Sequence, residues 1–141
     1  MNKIFLDTDV TLDFLLKRQP FYTNAQIIFE KITLGEIEGY VIDVTTVNVF
    51  YVSRKTLGNV AAKKLVEDLL TLVEICVTNK QNLQDAVSSN FADYEDAVQH
   101  ACAVAENLDA IATRNVSDYK NSNINSYTPS DFLAQLQSQN P

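Results

Sequence analysis

The fold of this chain can be predicted from one stretch, Lys3-Ile4-Phe5-Leu6-Asp7-Thr8-Asp9-Val10. Three apolar residues followed by a carboxylate predict a short buried β-strand that ends by placing Asp7 at the edge of a sheet. A parallel α/β sheet presents its ligand site at the carboxyl ends of its strands. We therefore expect Asp7 to lie at a functional site.

Two later segments repeat this arrangement of an apolar strand followed by an acid or amide. They are Val41-Ile42 before Asp43, and Ala110-Ile111-Ala112 before Thr113-Arg114-Asn115 and Asp118. A predicted helix between them carries Asp93, Glu95 and Asp96. Carboxylates that a fold can gather in one place, without a set of His or Cys residues, indicate a site for a divalent cation.

Strand and helix patterns alternate along the chain, which predicts a parallel sheet with helices on both faces. We expect a single three-layer α/β/α domain over residues 1–141, with four or five strands. The first half of the chain is predicted to form a strand at 3–6, a helix at 10–16, a helix capped by Asn24 and ending near Leu34, and a strand at 39–42. Next come a helix capped by Thr45 or Thr46 and broken at Gly58-Asn59, a helix to Leu72, and a strand at 73–77. The rest is predicted to form a helix at 81–88 capped by Asn79, a helix at 93–106, a strand at 110–113, a short strand near Ser126-Tyr127, and a last helix capped by Thr128.

The composition fits one compact globular domain, because 46% of the 141 residues are hydrophobic and only three are Gly and three Pro. No apolar run reaches the ~20 residues that span a bilayer, and signal-peptide features are absent. We therefore expect a cytoplasmic protein with no membrane partner. Cys76 and Cys102 lie in apolar surroundings without a C-x-x-C spacing, which favours reduced, structural thiols.

The net charge of −7 argues against broad electrostatic binding of nucleic acid. It does not exclude a nuclease, since an enzyme that holds phosphates through metal needs only local basic pairs such as Lys17-Arg18. The acid excess also suits a partner protein that supplies arginines. Phe50, Tyr51 and Val52 are apolar helix positions that a homodimer could bury.

A further pattern runs through nearly the whole chain in five groups of segments. They are Ile4-Phe5-Leu6-Asp7-Thr8-Asp9-Val10 with Leu12-Asp13-Phe14-Leu15-Leu16 and Arg18-Gln19-Pro20-Phe21-Tyr22; Val47-Asn48-Val49-Phe50-Tyr51-Val52-Ser53-Arg54-Lys55; Phe91-Ala92-Asp93-Tyr94-Glu95-Asp96-Ala97-Val98-Gln99; Asp109-Ala110-Ile111-Ala112-Thr113-Arg114-Asn115 with Asp118-Tyr119; and Thr128-Pro129-Ser130-Asp131-Phe132-Leu133. Together and in this order they resemble the PIN domain family, and within it the VapC-like toxin branch.

The resemblance implies Mg²⁺- or Mn²⁺-dependent cleavage of RNA by acids gathered at one end of the sheet. It implies catalytic and metal-binding roles for Asp7, Asp96 and Asp118. It also implies a toxin of a toxin–antitoxin pair, whose antitoxin partner reaches the acidic pocket. Five further positions are supporting candidates, and three of them depart from the family pattern. Asn48 stands where the family frequently has Glu, and Asn115 stands where an acid often follows the Thr. Asp9 stands where the family usually has Asn. The supporting candidates are Asn48, Thr113, Asn115, Asp9 and Asp93.

Two other interpretations remain open at this stage. With Asn at two acidic positions, the domain could bind RNA or a protein without cutting. The first stretch also resembles the opening motif of haloacid-dehalogenase-like phosphatases, with Asp7 as nucleophile and Asp9 as acid/base, although no Gly-Asp pair follows. His100 is interpreted as a surface or packing residue, not as a ligand.

Overall fold

The computed structural model describes residues 2–139, so Met1, Asn140 and Pro141 of the predicted 1–141 domain lie outside the described residues. The described chain forms five strands, six α-helices and one 3₁₀ turn. In order they are β1 (Lys3–Leu6), α1 (Thr8–Leu15), α2 (Tyr22–Thr33), β2 (Glu38–Ile42), α3 (Asp43–Leu72), β3 (Glu74–Cys76), α4 (Lys80–Ser88), α5 (Tyr94–Ala105), β4 (Ala110–Ala112), the 3₁₀ turn (Val116–Tyr119), β5 (Asn125–Tyr127) and α6 (Pro129–Gln139).

The strands form one parallel sheet in the order β3-β2-β1-β4-β5. The chain builds outward from β1 to β2 and β3, then returns to add β4 and β5 on the other side of β1. The point where this order reverses therefore lies between β1 and β4. The predicted parallel α/β/α fold is confirmed.

Alternate residues of the central strands bury their side chains on opposite faces of the sheet, as the two-residue period of a strand requires. Ile4 and Leu6 face one core with Phe29 of α2 and Phe132 of α6. Phe5 faces the other core; its companions there include Ile111, Val98, Cys102 and Tyr119. Both faces are apolar because helices cover both, which is why these strands read as continuous hydrophobic runs.

Three helix starts differ from their predicted positions by two residues or more. The first helix begins at Thr8, directly after the strand, and not at residue 10. The second begins at Tyr22, because Phe21 already has helical backbone angles, so Asn24 lies within the first turn and does not cap it. The third begins at Asp43, and neither predicted threonine caps it: Thr45 is buried against Thr8, while Thr46 donates back to the Asp43 carbonyl oxygen.

The predicted pair of helices around Gly58-Asn59 forms one element, α3, with a kink. The element runs from Asp43 to Leu72, and it consists of two helices that meet at Gly58, whose backbone angles are not helical, with φ 83° and ψ 170°. Glycine carries this positive φ without the steric cost of a Cβ atom. The predicted break is therefore confirmed, since one helix ends and another starts at this kink.

The predicted caps at Asn79 and Thr128 are confirmed, and Asp93 also caps its helix. Asn79 and Asn82 form a reciprocal capping box at the start of α4. Asp93 accepts from the Asp96 backbone N–H, and Thr128 accepts from that of Asp131. Within residues 2–139, no helix combines the length and apolar character needed to cross a membrane.

Candidate functional site

The candidate site lies at the carboxyl ends of β1 and β4, where the strand order reverses. Leu6 pairs with Ala112 in the sheet, so the next residues, Asp7 and Thr113, stand side by side. The Asp7 backbone N–H donates to the Ala112 carbonyl oxygen at 3.0 Å and holds this register. Ligand sites of open α/β sheets form in this crevice.

Asp7 is buried and occupies the N-cap position of α1, yet its carboxylate does not cap the helix. Its Oδ2 accepts from the Thr113 hydroxyl at 2.8 Å, and its Oδ1 accepts from Gln99 Nε2 at 3.2 Å. Burial raises the pKa of Asp7, the two hydrogen bonds oppose that rise, and the charge of Asp9 adds to it. An ionised carboxylate at this position therefore lowers the stability of the folded protein.

Gln99 joins Asp7 to Asp96. Its side chain is completely buried on α5, and its Nε2 lies 3.2 Å from Asp7 Oδ1 and 3.4 Å from Asp96 Oδ1. The Tyr119 hydroxyl is a third acceptor, 2.9 Å from the same nitrogen. One amide nitrogen thus brings the two predicted site acids together.

Asp96 is half-buried at the start of α5. The Tyr119 hydroxyl lies 3.5 Å from its Oδ1, the oxygen that also faces Gln99. Burial raises the pKa of Asp96 to about 7, and the charges of Asp7, Asp93, Asp118 and Glu95 add to the effect. These carboxylates therefore repel one another, and a bound cation would offset their negative charge.

A second polar chain connects α1, α3 and α5 beside the acid pair. Glu95 Oε1 accepts from Asn48 Nδ2 at 3.0 Å and from the Thr8 hydroxyl at 3.1 Å. The Thr8 hydroxyl also lies 3.1 Å from that of Thr45. Asn48 therefore faces the site region, and it positions Glu95 from the side.

Asp9 lies in an ion-pair cluster. Its carboxylate is 3.6 Å from both Arg18 and Arg114, and the buried Asp13 lies 2.8 Å from Arg18 Nε and 3.1 Å from Arg114 Nε. The Arg114 guanidinium also lies over the Phe21 ring, 4.0 Å from its centroid. Asp9 is thus neutralised by arginines, in contrast to Asp7 and Asp96.

The other supporting candidates take different positions. Asp93 caps α5 through the Asp96 backbone N–H at 3.0 Å, so its carboxylate already has a structural role. Asn115 is exposed, and its backbone N–H donates to the Thr113 hydroxyl at 3.1 Å. Asp118 is exposed on the 3₁₀ turn, near enough for its charge to raise the pKa of Asp96.

The oxygen donors suit Mg²⁺ or Mn²⁺, with one restriction. In residues 2–139, no group of three or more His, Cys, Asp or Glu side chains is placed so that it could hold a metal ion. The geometry instead offers a pair, Asp7 and Asp96, with Asp118 and Glu95 at its margin. Mg²⁺ commonly binds through one or two carboxylates and completes its shell with water and substrate phosphate, so this donor set fits.

Sequence reasoning did not identify four residues of this network as site residues: Gln99, Thr8, Tyr119 and Glu95. Gln99 follows Asp96 by three positions on a helix, a spacing that places two side chains on one face. A polar residue among Ala97, Val98, Ala101 and Cys102 was therefore a usable signal. Tyr119 gave no such signal, because its approach depends on how the 3₁₀ turn packs against α5.

The fold and site together define a class: a parallel α/β domain with an acid pair at the switch point of its sheet. A family model described as "PIN domain" matches residues 3–117. Because this match covers well over half of the 141 residues, the chain belongs to the PIN domain family. The predicted resemblance is confirmed, and the phosphatase interpretation is set aside.

Several solved structures share the fold of this chain at low sequence identity. DNA-bound VapBC from Salmonella typhimurium is 18% identical, with a TM-score of 0.68 over 92% of this chain and 99% of that chain. FitAcB from Neisseria gonorrhoeae is 17% identical, with a TM-score of 0.70 over 90% and 98%. Mycobacterium tuberculosis VapC20, a Sarcin-Ricin loop cleaving toxin, is 12% identical, with a TM-score of 0.62 over 77% and 86%. No curated protein sequence matches this chain significantly.

Proposed function

We propose that this protein is a Mg²⁺- or Mn²⁺-dependent endoribonuclease and the toxin of a toxin–antitoxin pair. One observation carries the proposal: Asp7 and Asp96 converge on the same amide nitrogen at the switch point, and no arginine or lysine contact to either is seen among residues 2–139. A buried carboxylate beside a half-buried one, without a counter-charge, is costly unless a proton or a metal cation binds the pair.

Asp7 and Asp96 would hold the cation, with Asp118 as a further ligand or as the residue that orients a water molecule. When bound, a divalent cation neutralises charge on the phosphodiester and lowers the pKa of a water molecule. The chain itself supplies orientation. Thr113 and Gln99 fix the Asp7 carboxylate, Tyr119 and Gln99 contact that of Asp96, and Asn48 fixes Glu95 beside them.

RNA is the proposed substrate because the family and its fold relatives favour it and because basic residues flank the acids. VapC20 is described as cleaving the Sarcin-Ricin loop. Arg18 and Arg114 lie on one side of the site, balanced by Asp9 and Asp13, so a phosphate chain meets less repulsion from that side.

The proposed antitoxin partner would place an arginine or lysine at the Asp7–Asp96 pair. An arginine–carboxylate contact is strong and geometrically specific, and it would compete with the cation for the same oxygens. Inhibition by such a partner should therefore weaken as Mg²⁺ concentration rises.

A homodimer is proposed through the first half of α3. Val47 and Tyr51 are 52% and 51% exposed and lie on one helix face with the exposed Val44, whereas Phe50 is half-buried against Tyr51 and Arg54. A two-fold axis would let this apolar face pack against its own copy.

Tyr51→Asp is expected to dissociate this dimer, because it places a charge in the buried face. Light scattering at micromolar concentration should give twice the 15.8 kDa chain mass for the wild type and the single mass for the variant. Leu34→Asp, at an exposed position on another surface, is the matched control and should leave the dimer intact. A wild type that already has the mass of one chain would reject the dimer.

The direct test of the proposed activity is incubation of the purified protein with single-stranded and structured RNA. Cleavage should require Mg²⁺ or Mn²⁺ and should stop when a chelator is added. A protein that retains RNA but never cuts it, with millimolar metal present, would favour the alternative of a catalytically inactive binding module.

A further inference from the structure

We propose that Gln99 is a positioning residue that holds Asp7 and Asp96 in the geometry that binds a divalent cation. This inference rests on the proposed function and names the residue on which its metal site depends. Gln99 is 0% exposed, and all its polar contacts are to the site or to α1 beside it.

The orientation of the Gln99 amide is fixed by its oxygen. Oε1 lies 3.2 Å from the Thr8 backbone nitrogen, and the Thr8 hydroxyl also lies 3.2 Å away. A backbone N–H can only donate, so the oxygen end of the amide must face Thr8. The nitrogen end then directs its two N–H donors toward three acceptors, Asp7, Asp96 and Tyr119.

The contacts leave acceptor positions on both acids unused. Asp7 receives Gln99 on Oδ1 and Thr113 on Oδ2, and an ionised carboxylate has about four acceptor positions. Both contacts to Asp96 fall on Oδ1, and among the described residues Oδ2 has no protein donor. A cation that takes these free positions on both acids would not break the contacts that orient them.

A neutral amide suits this role better than the alternatives. A lysine here would form a permanent ion pair and compete with a cation, and an apolar side chain would leave both buried carboxylates short of a donor. The amide orients the acids while it leaves their negative charge uncompensated. Partners behind metal ligands typically change metal affinity about 10–100-fold when they are removed.

The test is Mn²⁺ binding to full-length Gln99→Met, measured by calorimetry and compared with the wild type. Methionine keeps the length of the side chain but offers no N–H donor. We expect Mn²⁺ affinity to fall by about 10-fold or more. Asn79→Ala is the control: it removes the α4 cap, lowers the melting temperature, and should leave Mn²⁺ affinity unchanged.

The outcomes separate this inference from the proposed function. If the wild type binds no Mn²⁺, the proposed metal site fails. If the wild type binds and Gln99→Met binds equally well, the positioning role is wrong. Should Gln99→Met not fold, Thr8→Val decides when compared with Asn48→Ala, because Thr8→Val removes a donor of both Gln99 and Glu95, whereas Asn48→Ala removes a donor of Glu95 alone. A few-fold larger loss of affinity in Thr8→Val would support the inference, and equal affinities would overturn it.

Discussion

Replacing Asp7 with Asn is expected to lower the rate of RNA cleavage by about 1,000-fold. The cation loses a charged ligand, and the stabilisation that the cation gives to the transition state falls by several kcal/mol. Asp96→Asn should have a similar effect. The shape of the pocket changes little, because Asn can still accept from Thr113 or Gln99. Initial rates at saturating Mg²⁺, with RNA fragments resolved on a gel, measure the loss.

Stability distinguishes a lost ligand from a damaged fold. Burial raises the pKa of Asp7, which means that the folded protein disfavours its ionised form. Asp7→Asn should therefore leave the metal-free protein at least as stable at pH 7. Asp85→Asn, at an exposed acid of α4, is the control and should cleave RNA at the wild-type rate. Cleavage that survives both Asp7→Asn and Asp96→Asn would place the activity elsewhere.

The metal-free protein is expected to lose stability as the pH rises from about 4 to about 7. Asp96 has its pKa raised from the ordinary value of 3.8 to about 7 by burial and by neighbouring carboxylates. Between these values the folded state holds a proton that the unfolded state has released. The free energy of unfolding therefore falls through this window and levels off above it. Thermal melts in chelator at several pH values measure the slope.

Asp96→Asn isolates this contribution from the other acids. The variant should show a flatter pH dependence than the wild type and melt at a higher temperature near pH 8. Mn²⁺ should stabilise the wild type more at pH 8 than at pH 5, because a cation competes with the proton on Asp96. If the wild type and Asp96→Asn showed the same change of stability with pH, the pKa of Asp96 would not be raised in the folded protein.

The strands and the position of the site could be predicted from the sequence because each depends on local signals. An apolar run that ends in Asp7 reports both a buried strand and its carboxyl end, and the alternation of strands with helices reports a parallel sheet. Asp96 could be singled out only through the resemblance to the PIN domain family, because acids at a helix start are also favoured by the helix dipole. The caps at Asn79, Asp93 and Thr128 follow from single residue preferences.

What could not be predicted depends on tertiary packing. The helix starts at Thr8, Tyr22 and Asp43 are set by how the chain leaves the sheet and by the Tyr22 N–H bond to the Arg18 carbonyl oxygen. The pairing of Asp9 with two arginines depends on Arg114 reaching back to α1 across the sheet edge. The bridging amide of Gln99 requires α1, α5 and the 3₁₀ turn to meet, which no local pattern encodes.

The central claim is that Asp7 and Asp96 bind one divalent cation, and anomalous scattering from an Mn²⁺-soaked crystal tests it most directly. The account predicts an anomalous peak about 2 Å from a carboxylate oxygen of each residue, with water completing the shell. If millimolar Mn²⁺ gave no anomalous peak at these two carboxylates, or gave peaks only beside other acids, the account would be contradicted.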